Sequence, residues 1–237
     1  MSGIRVAVLG PATIDELDLD DGSRVMRPGG TPHYAARALR AEGAGVVAIE
    51  TGHLRSRLRH TAAGTEQSIL SLPEPLLPDA ARRLLPQLAG CTWVLLGGQT
   101  AGDFPPETIA VLAGAGLSLL LDGQGLTRGS RVGAVELGPI EQAAPQVQAL
   151  KLNAREAAAA GKVEVPELLV THAEEGCDVV VADVRTRVAG SGRRFADPTG
   201  AGDSFGALYC LARARGAAPA DAAGWAQAEV EQLYEHA

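Results

Sequence analysis

The sequence has little cysteine and no clustering of it. Cys91, Cys177 and Cys210 lie far apart, are odd in number and form no C-x-x-C pair. That argues against a disulfide framework or a Cys/His metal centre, and it predicts buried thiols in a reducing cytoplasm. The five histidines are equally scattered. No apolar run approaches the ~20 residues of a membrane span, so no membrane partner is expected. There is no basic block either. Lys and Arg total 21 against 28 Asp and Glu, a net charge of −7, and the electrostatic footprint of a nucleic-acid binder is missing. No internal repeat and no G-K-[ST] phosphate loop occur. The opening "MSGIRVAVLG" lacks the length and cleavage site of a secretory leader and reads as a first strand.

What is present is the composition of a globular chain, 46% hydrophobic and 21% charged over 237 residues, long enough for one large domain over 1–237. Short apolar runs predict strands at 4–10, 45–50, 68–72, 93–98, 117–122, 148–152, 167–171 and 178–184. Several are apolar throughout, which suits strands covered on both faces. Helices are predicted near 32–42, 78–89, 105–114, 153–160, 202–215 and 218–235. The alternation implies an α/β fold with a largely parallel sheet, whose ligand crevice lies at the carboxyl ends of the strands. The segment 51–69 fits least well. It carries Arg55, Arg57 and Arg59 at alternate positions and reads as a solvated edge strand, or as a face toward an anionic substrate.

The most informative string is "DPTGAGDSF", residues 197–205. Phe205, Leu208, Tyr209 and Ala212 then recur at helical spacing. Glycines at a helix start expose backbone N–H groups to a ligand, and the dipole there favours an anion such as a phosphoryl group. Asp203 at the same place can take a proton from an attacking hydroxyl. The plainer reading is a turn followed by an acid in the first helical turn, where acids are favoured anyway.

"DPTGAGDSF" closely resembles the C-terminal D-T-x-G-A-G-D-x-F signature of the ribokinase-like (PfkB) carbohydrate kinases, with Pro198 in place of the Thr. The resemblance implies a three-layer α/β/α sandwich with a mostly parallel central sheet. It implies Asp203 as catalytic base and Gly200, Ala201 and Gly202 as anion hole. Asp197 and Thr199 match positions that in some members help to bind a monovalent cation such as K⁺.

Other strings extend the likeness over most of the chain. In "KLNAREAAAAG" Asn153 and Glu156 make a good helix cap; in the family an N-x-x-E here places Asn near the phosphates and Glu at hydrated Mg²⁺. "VTHAEEGC" resembles a loop lying against the nucleotide, with Thr171, Glu174 and Gly176 as binding residues and Ala173 where the family has Gly. Asp15, in "GPATID", is either a solvated loop acid or the acid that holds sugar hydroxyls. Gly29, Gly30 and Thr31 resemble the substrate-side di-glycine and helix start. Thr31 can also cap that helix, with Pro32 at its first position. Tyr34 replaces the Asn of many sugar kinases. "LDGQGLTR" (121–128) resembles a D-x-Q-G-x-x-R string of some subgroups of the family, inositol-type kinases among them.

The resemblance therefore implies a cytoplasmic, ATP- and Mg²⁺-dependent phosphotransferase acting on a hydroxyl of a small sugar, polyol or nucleoside. It also implies a lid, shortened here and formed near 11–28 and 51–72, and a homodimer through it. The alternative, motivated by Ala173, Tyr34 and the short lid, is a nucleotide-binding protein of the same fold with impaired catalysis.

Overall fold

The computed structural model describes residues 3–19, 22–61, 64–140 and 146–235. Its organising feature is one long sheet. In chain order the strands are β1 (Arg5–Asp18), β2 (Arg24–Gly29), β3 (Gly45–Thr61), β4 (Gly64–Ser71), β5 (Cys91–Leu96), β6 (Ser118–Asp122), β7 (Gly133–Ala134), β8 (Ala149–Asn153), β9 (Glu167–Thr171), β10 (Gly176–Val181) and β11 (Val184–Ala189). Their order across the sheet is β11-β10-β9-β8-β6-β5-β1-β3-β4-β7, with β2 paired to β1. The six strands from β9 to β3 run parallel; β2, β4, β7, β10 and β11 join antiparallel.

Strand alternation sorts the apolar runs into two cores. Val6, Val8, Leu95 and Leu120 face α1 (Thr31–Ala41), α6 (Ala201–Ala214) and α7 (Pro219–Glu235). Ala7, Leu9, Val94, Leu96, Leu119 and Leu121 face the other way, toward α2 (Pro78–Leu84), α3 (Pro106–Gly114) and α5 (Ala154–Ala160). A short α4 (Gln124–Thr127) follows β6. This is the three-layer α/β/α arrangement expected from runs apolar on both faces. All three cysteines are free and buried, and no helix of the described residues is long and apolar enough to cross a membrane.

Two expectations are corrected. The 51–69 segment is not an edge strand. β3 continues unbroken to Thr61, parallel to β1 on one side and antiparallel to β4 on the other. Arg55 and Arg57 remain partly exposed while both pair with the buried Glu16 of β1, at 2.5 and 3.2 Å. The outer halves of β1 and β3, with β2, β4 and β7, thus extend the same sheet at one end. The expected single strand 178–184 is a hairpin, because Ala182 and Asp183 both take positive φ, 47° and 63°, as a two-residue β-turn of the primed kind requires.

β1 leads through α1 to β3 on one side, while β5 lies on its other side. The carboxyl ends of β1 and β5 are therefore the switch point at which a ligand crevice opens in such sheets. The backbones crowd there: a Cβ on Gly10 would come within 2.7 Å of the Gly97 carbonyl oxygen.

Candidate active site

Thr31 lies directly over this switch point. It does not cap α1, which starts on Gly30 without a side-chain cap and with Pro32 in its first turn. The Thr31 hydroxyl instead donates to Asp203 Oδ1 at 2.6 Å. The correction has a local cause: Gly30 holds φ +90°, and a Cβ on it would stand 2.5 Å from the Pro11 carbonyl oxygen. The di-glycine thus folds the end of β2 tightly onto β1 and delivers Thr31 to the acid. Gly29 packs against Asp15, whose Oδ2 would lie 2.1 Å from any Cβ there.

Asp203 is buried in the first turn of α6. Burial pushes its carboxyl up and the Asp122 charge adds to this; Thr31, Lys151 and Arg128 pull it back, leaving it at about 6. A carboxylate poised there is ionised at neutral pH yet a far stronger base than a free one.

The helix start beside it offers donors. Among the described residues the N–H groups of Gly200, Gly202 and Asp203 have no acceptor in the protein, whereas Ala201 donates to the Pro198 carbonyl at 3.0 Å. The amide of Ala201 closes the turn and is not part of the open set. Gly200 is obligatory, with φ +81° and the Tyr34 ring 2.1 Å from where a Cβ would stand. Gly200→Ala is expected to destabilise the protein by about 1–3 kcal/mol. Unchanged thermal unfolding would count against this packing.

Asp203, Gly200 and Gly202 line one polar pocket of about 190 Å³. Opposite them stand Asp15, Gln67, Gln99, Gln124 and Arg128. Asp15 is no solvated loop acid: it is 5% exposed and accepts from Thr13 at 3.0 Å and from Ser56 at 2.7 Å. Gln124 and Arg128 belong to the D-x-Q-G-x-x-R string. Gln67 and Gln99 had no sequence signal, since only the fold turns these glutamines toward the pocket. Arg128 donates to Gln67 at 2.8 Å and lies 3.6 Å from Glu156, linking the pocket to the next strand end.

There Asn153 and Glu156 form a reciprocal capping box, both hydrogen bonds 2.9 Å. Glu156 Oε1 is buried without a hydrogen bond, 3.6 Å from the Arg128 guanidinium. The capping reading holds, and it uses only one carboxylate oxygen of Glu156. Thr171 sits opposite Asn153 in the β8–β9 ladder and donates to the Leu152 carbonyl at 3.4 Å. Glu174 is ion-paired to Arg194 at 2.6 Å. Gly176, φ +96°, would place a Cβ 2.2 Å from the Val188 carbonyl oxygen. Ala173 takes φ +50°, so it adopts the glycine-like backbone despite its Cβ. These last residues flank the strand end and do not line the 190 Å³ pocket.

Lys151 is the residue that motif reading passed over. It is buried on β8, pairs with Asp122 at 2.9 Å, and its ammonium lies 3.4 Å from where a Gly202 Cβ would be. Burial pulls its pKa down, but Asp122, Glu156 and Asp203 outweigh this and raise it. A fixed positive charge thus sits beside Gly202 at the start of α6.

No family model matches the sequence, and no curated protein matches it. Solved structures do. The chain is similar to a pyrophosphate-dependent kinase in the ribokinase family, complexed with a pyrophosphate analog and myo-inositol: 17% identical, covering 97% of this chain and 95% of that one, TM-score 0.76. The fold is ribokinase-like. A Burkholderia thailandensis nucleoside kinase in complex with inosine is 14% identical over 98% of this chain and 91% of that one, TM-score 0.69. Escherichia coli phosphofructokinase-2 in complex with potassium is 15% identical over 100% and 99%, TM-score 0.59.

Asp197 and Thr199 do not present open oxygens for a monovalent cation. The Arg27 guanidinium binds Asp197 at 2.6 and 3.3 Å and Thr199 Oγ1 at 2.9 Å. Burial alone would push the Asp197 carboxyl up; the hydrogen bonds from Arg27 and Thr199 bring it down to about 2. The residues do not fit a cation there. For a divalent ion, no cluster of three or more His, Cys, Asp or Glu could hold one among the described residues. The spare buried oxygen of Glu156 does fit Mg²⁺ carried mainly by phosphates and water.

Proposed function

We propose that this chain is a PfkB-type phosphotransferase, transferring the terminal phosphoryl group of ATP to a hydroxyl of a small polyol or sugar. The observation that carries the proposal is the convergence on Asp203. A buried base, held by Thr31, shares a polar pocket with unsatisfied amides of the same helix start. The acceptor hydroxyl loses its proton to Asp203 Oδ as its oxygen attacks the terminal phosphorus, and the bond to the leaving diphosphate breaks. The amides of Gly200, Gly202 and Asp203, with Lys151 behind them, meet the charge on the group in transit. Mg²⁺, when bound, neutralises the donor phosphates, and Glu156 Oε1 would orient its water shell.

The pocket narrows the acceptor class. At about 190 Å³ it is smaller than the roughly 300–1,000 Å³ typical of drug-sized ligands, and its wall is carboxylate, amide and guanidinium. That suits a single polyhydroxylated ring better than a nucleoside, and the ribokinase-family kinase that holds myo-inositol is consistent with it. The test is phosphorylation of a panel of cyclitols, monosaccharides and nucleosides with ATP, and separately with pyrophosphate because that same structure holds a pyrophosphate analog. Transfer to none, with ATP still bound, would favour a binding protein of impaired catalysis.

The pH dependence follows from Asp203. Because the base must be ionised, kcat/KM should fall about tenfold per pH unit below about 6 and be level above it. A profile still flat at pH 5 would remove Asp203 from the role.

A further inference from the structure

Arg27 is placed where the ribokinase-like reading expects an exchangeable ion. It lies on lid strand β2, opposite Asp15 in the β1–β2 ladder. Its two terminal nitrogens take both oxygens of Asp197 and the hydroxyl of Thr199, 170 and 172 residues away. Asp197 Oδ1 also accepts from the Thr199 amide at 3.0 Å. The carboxylate of this turn is thus engaged on both oxygens, and the compensating positive charge is covalently part of the lid. A guanidinium fork matches a carboxylate in two parallel bonds and stays charged at every working pH. A second cation at these oxygens would stand beside that fixed charge and be repelled by it.

The turn that Arg27 holds leads straight into Gly200. The strand that carries Arg27 leads, through Gly29 and Gly30, to Thr31 on Asp203. One side chain therefore ties together the two segments that must be in register for proton removal and charge stabilisation to coincide.

We propose that Arg27 replaces a monovalent activating cation: it is a positioning residue that sets the 197–200 turn and makes turnover independent of K⁺. This rests on the kinase reading, and the experiment separates the two. First, thallium(I) NMR on the wild-type protein, which needs no turnover, should show no site competed by K⁺. Second, wild-type phosphorylation should run at one rate in K⁺, Na⁺ and tetramethylammonium chloride at equal ionic strength. Third, Arg27→Met should lose about 100-fold in kcat/KM and regain part of it with K⁺ or with guanidinium ion at a non-denaturing concentration. Arg27→Lys keeps the charge but not the fork, so it should retain more of the wild-type rate than Arg27→Met without reaching it, and it carries the test if Arg27→Met does not fold. A K⁺-competed thallium site in the wild type, or K⁺ stimulation of it, overturns the proposal. So does loss of activity in Arg27→Met that neither cation restores, since a purely structural arginine would behave that way. Absence of turnover on every acceptor and donor would defeat the kinase reading, and the thallium result would still decide whether Arg27 excludes the ion.

Discussion

Asp203→Asn is expected to cut kcat by about 10²–10⁴-fold while leaving ATP binding nearly intact and the fold more stable above pH 6. Asparagine fills the same volume and still offers an oxygen to the Thr31 hydroxyl, so the pocket wall persists. It cannot accept the substrate proton. The stability gain follows from the raised carboxyl. Folded Asp203 holds its proton to about 6, against an ordinary 3.8, so between those values the folded state binds more protons than the unfolded one. Stability from this group is present below about 4 and is lost as pH rises through 6. The amide carries no such penalty. A buried ionised acid retained at that cost is the usual mark of a functional site. Steady-state kinetics, nucleotide titration and thermal unfolding at pH 8 check all three outcomes. Loss of ATP binding together with a lower melting temperature would make Asp203 a folding residue instead.

Asp203 and its glycines were legible because the information is local. A turn, its open amides and the acid occupy a few consecutive residues, and helix periodicity behind them sets the orientation. The same holds for the Asn153–Glu156 cap and for strands apolar on both faces, which require two helical layers. Legibility failed where a side chain's role depends on a distant partner. Thr31 looks like a cap from its neighbours, and only the packing of α6 over β5 gives its hydroxyl Asp203. The ion pairs of Arg55 and Arg57 have no local signal, since only β1 brings Glu16 alongside. Arg27 carries no local signal, since its carboxylate lies 170 residues on. The β10–β11 turn was missed for another reason: Ala182 and Asp183 adopt positive φ without the Gly or Asn that announces such a turn.

Lys151 had one signal, and it predicts the second large effect. A lysine inside the strand "ALKLN", whose neighbours are buried, must have a buried counter-charge, because an unpaired ammonium there would cost several kcal/mol. That partner is Asp122, at 2.9 Å. Lys151→Met should lose about 3–5 kcal/mol of stability, as the Asp122 carboxylate is left buried and uncompensated. Turnover should fall by about 10²–10³-fold, as charge stabilisation behind the open amides disappears. The two losses are separable. Asp122→Asn added to Lys151→Met removes the stranded charge and should restore most of the stability. Turnover should remain low, because the cation beside Gly202 is still missing. The pH profile gives a further readout. With Lys151 gone, one of the groups that holds the Asp203 carboxyl down is lost, and the acid limb of kcat/KM in the single variant should move to higher pH. If the double variant recovers activity along with stability, Lys151 serves only to neutralise Asp122, and the positive charge at the helix start has no part in handling the phosphoryl group.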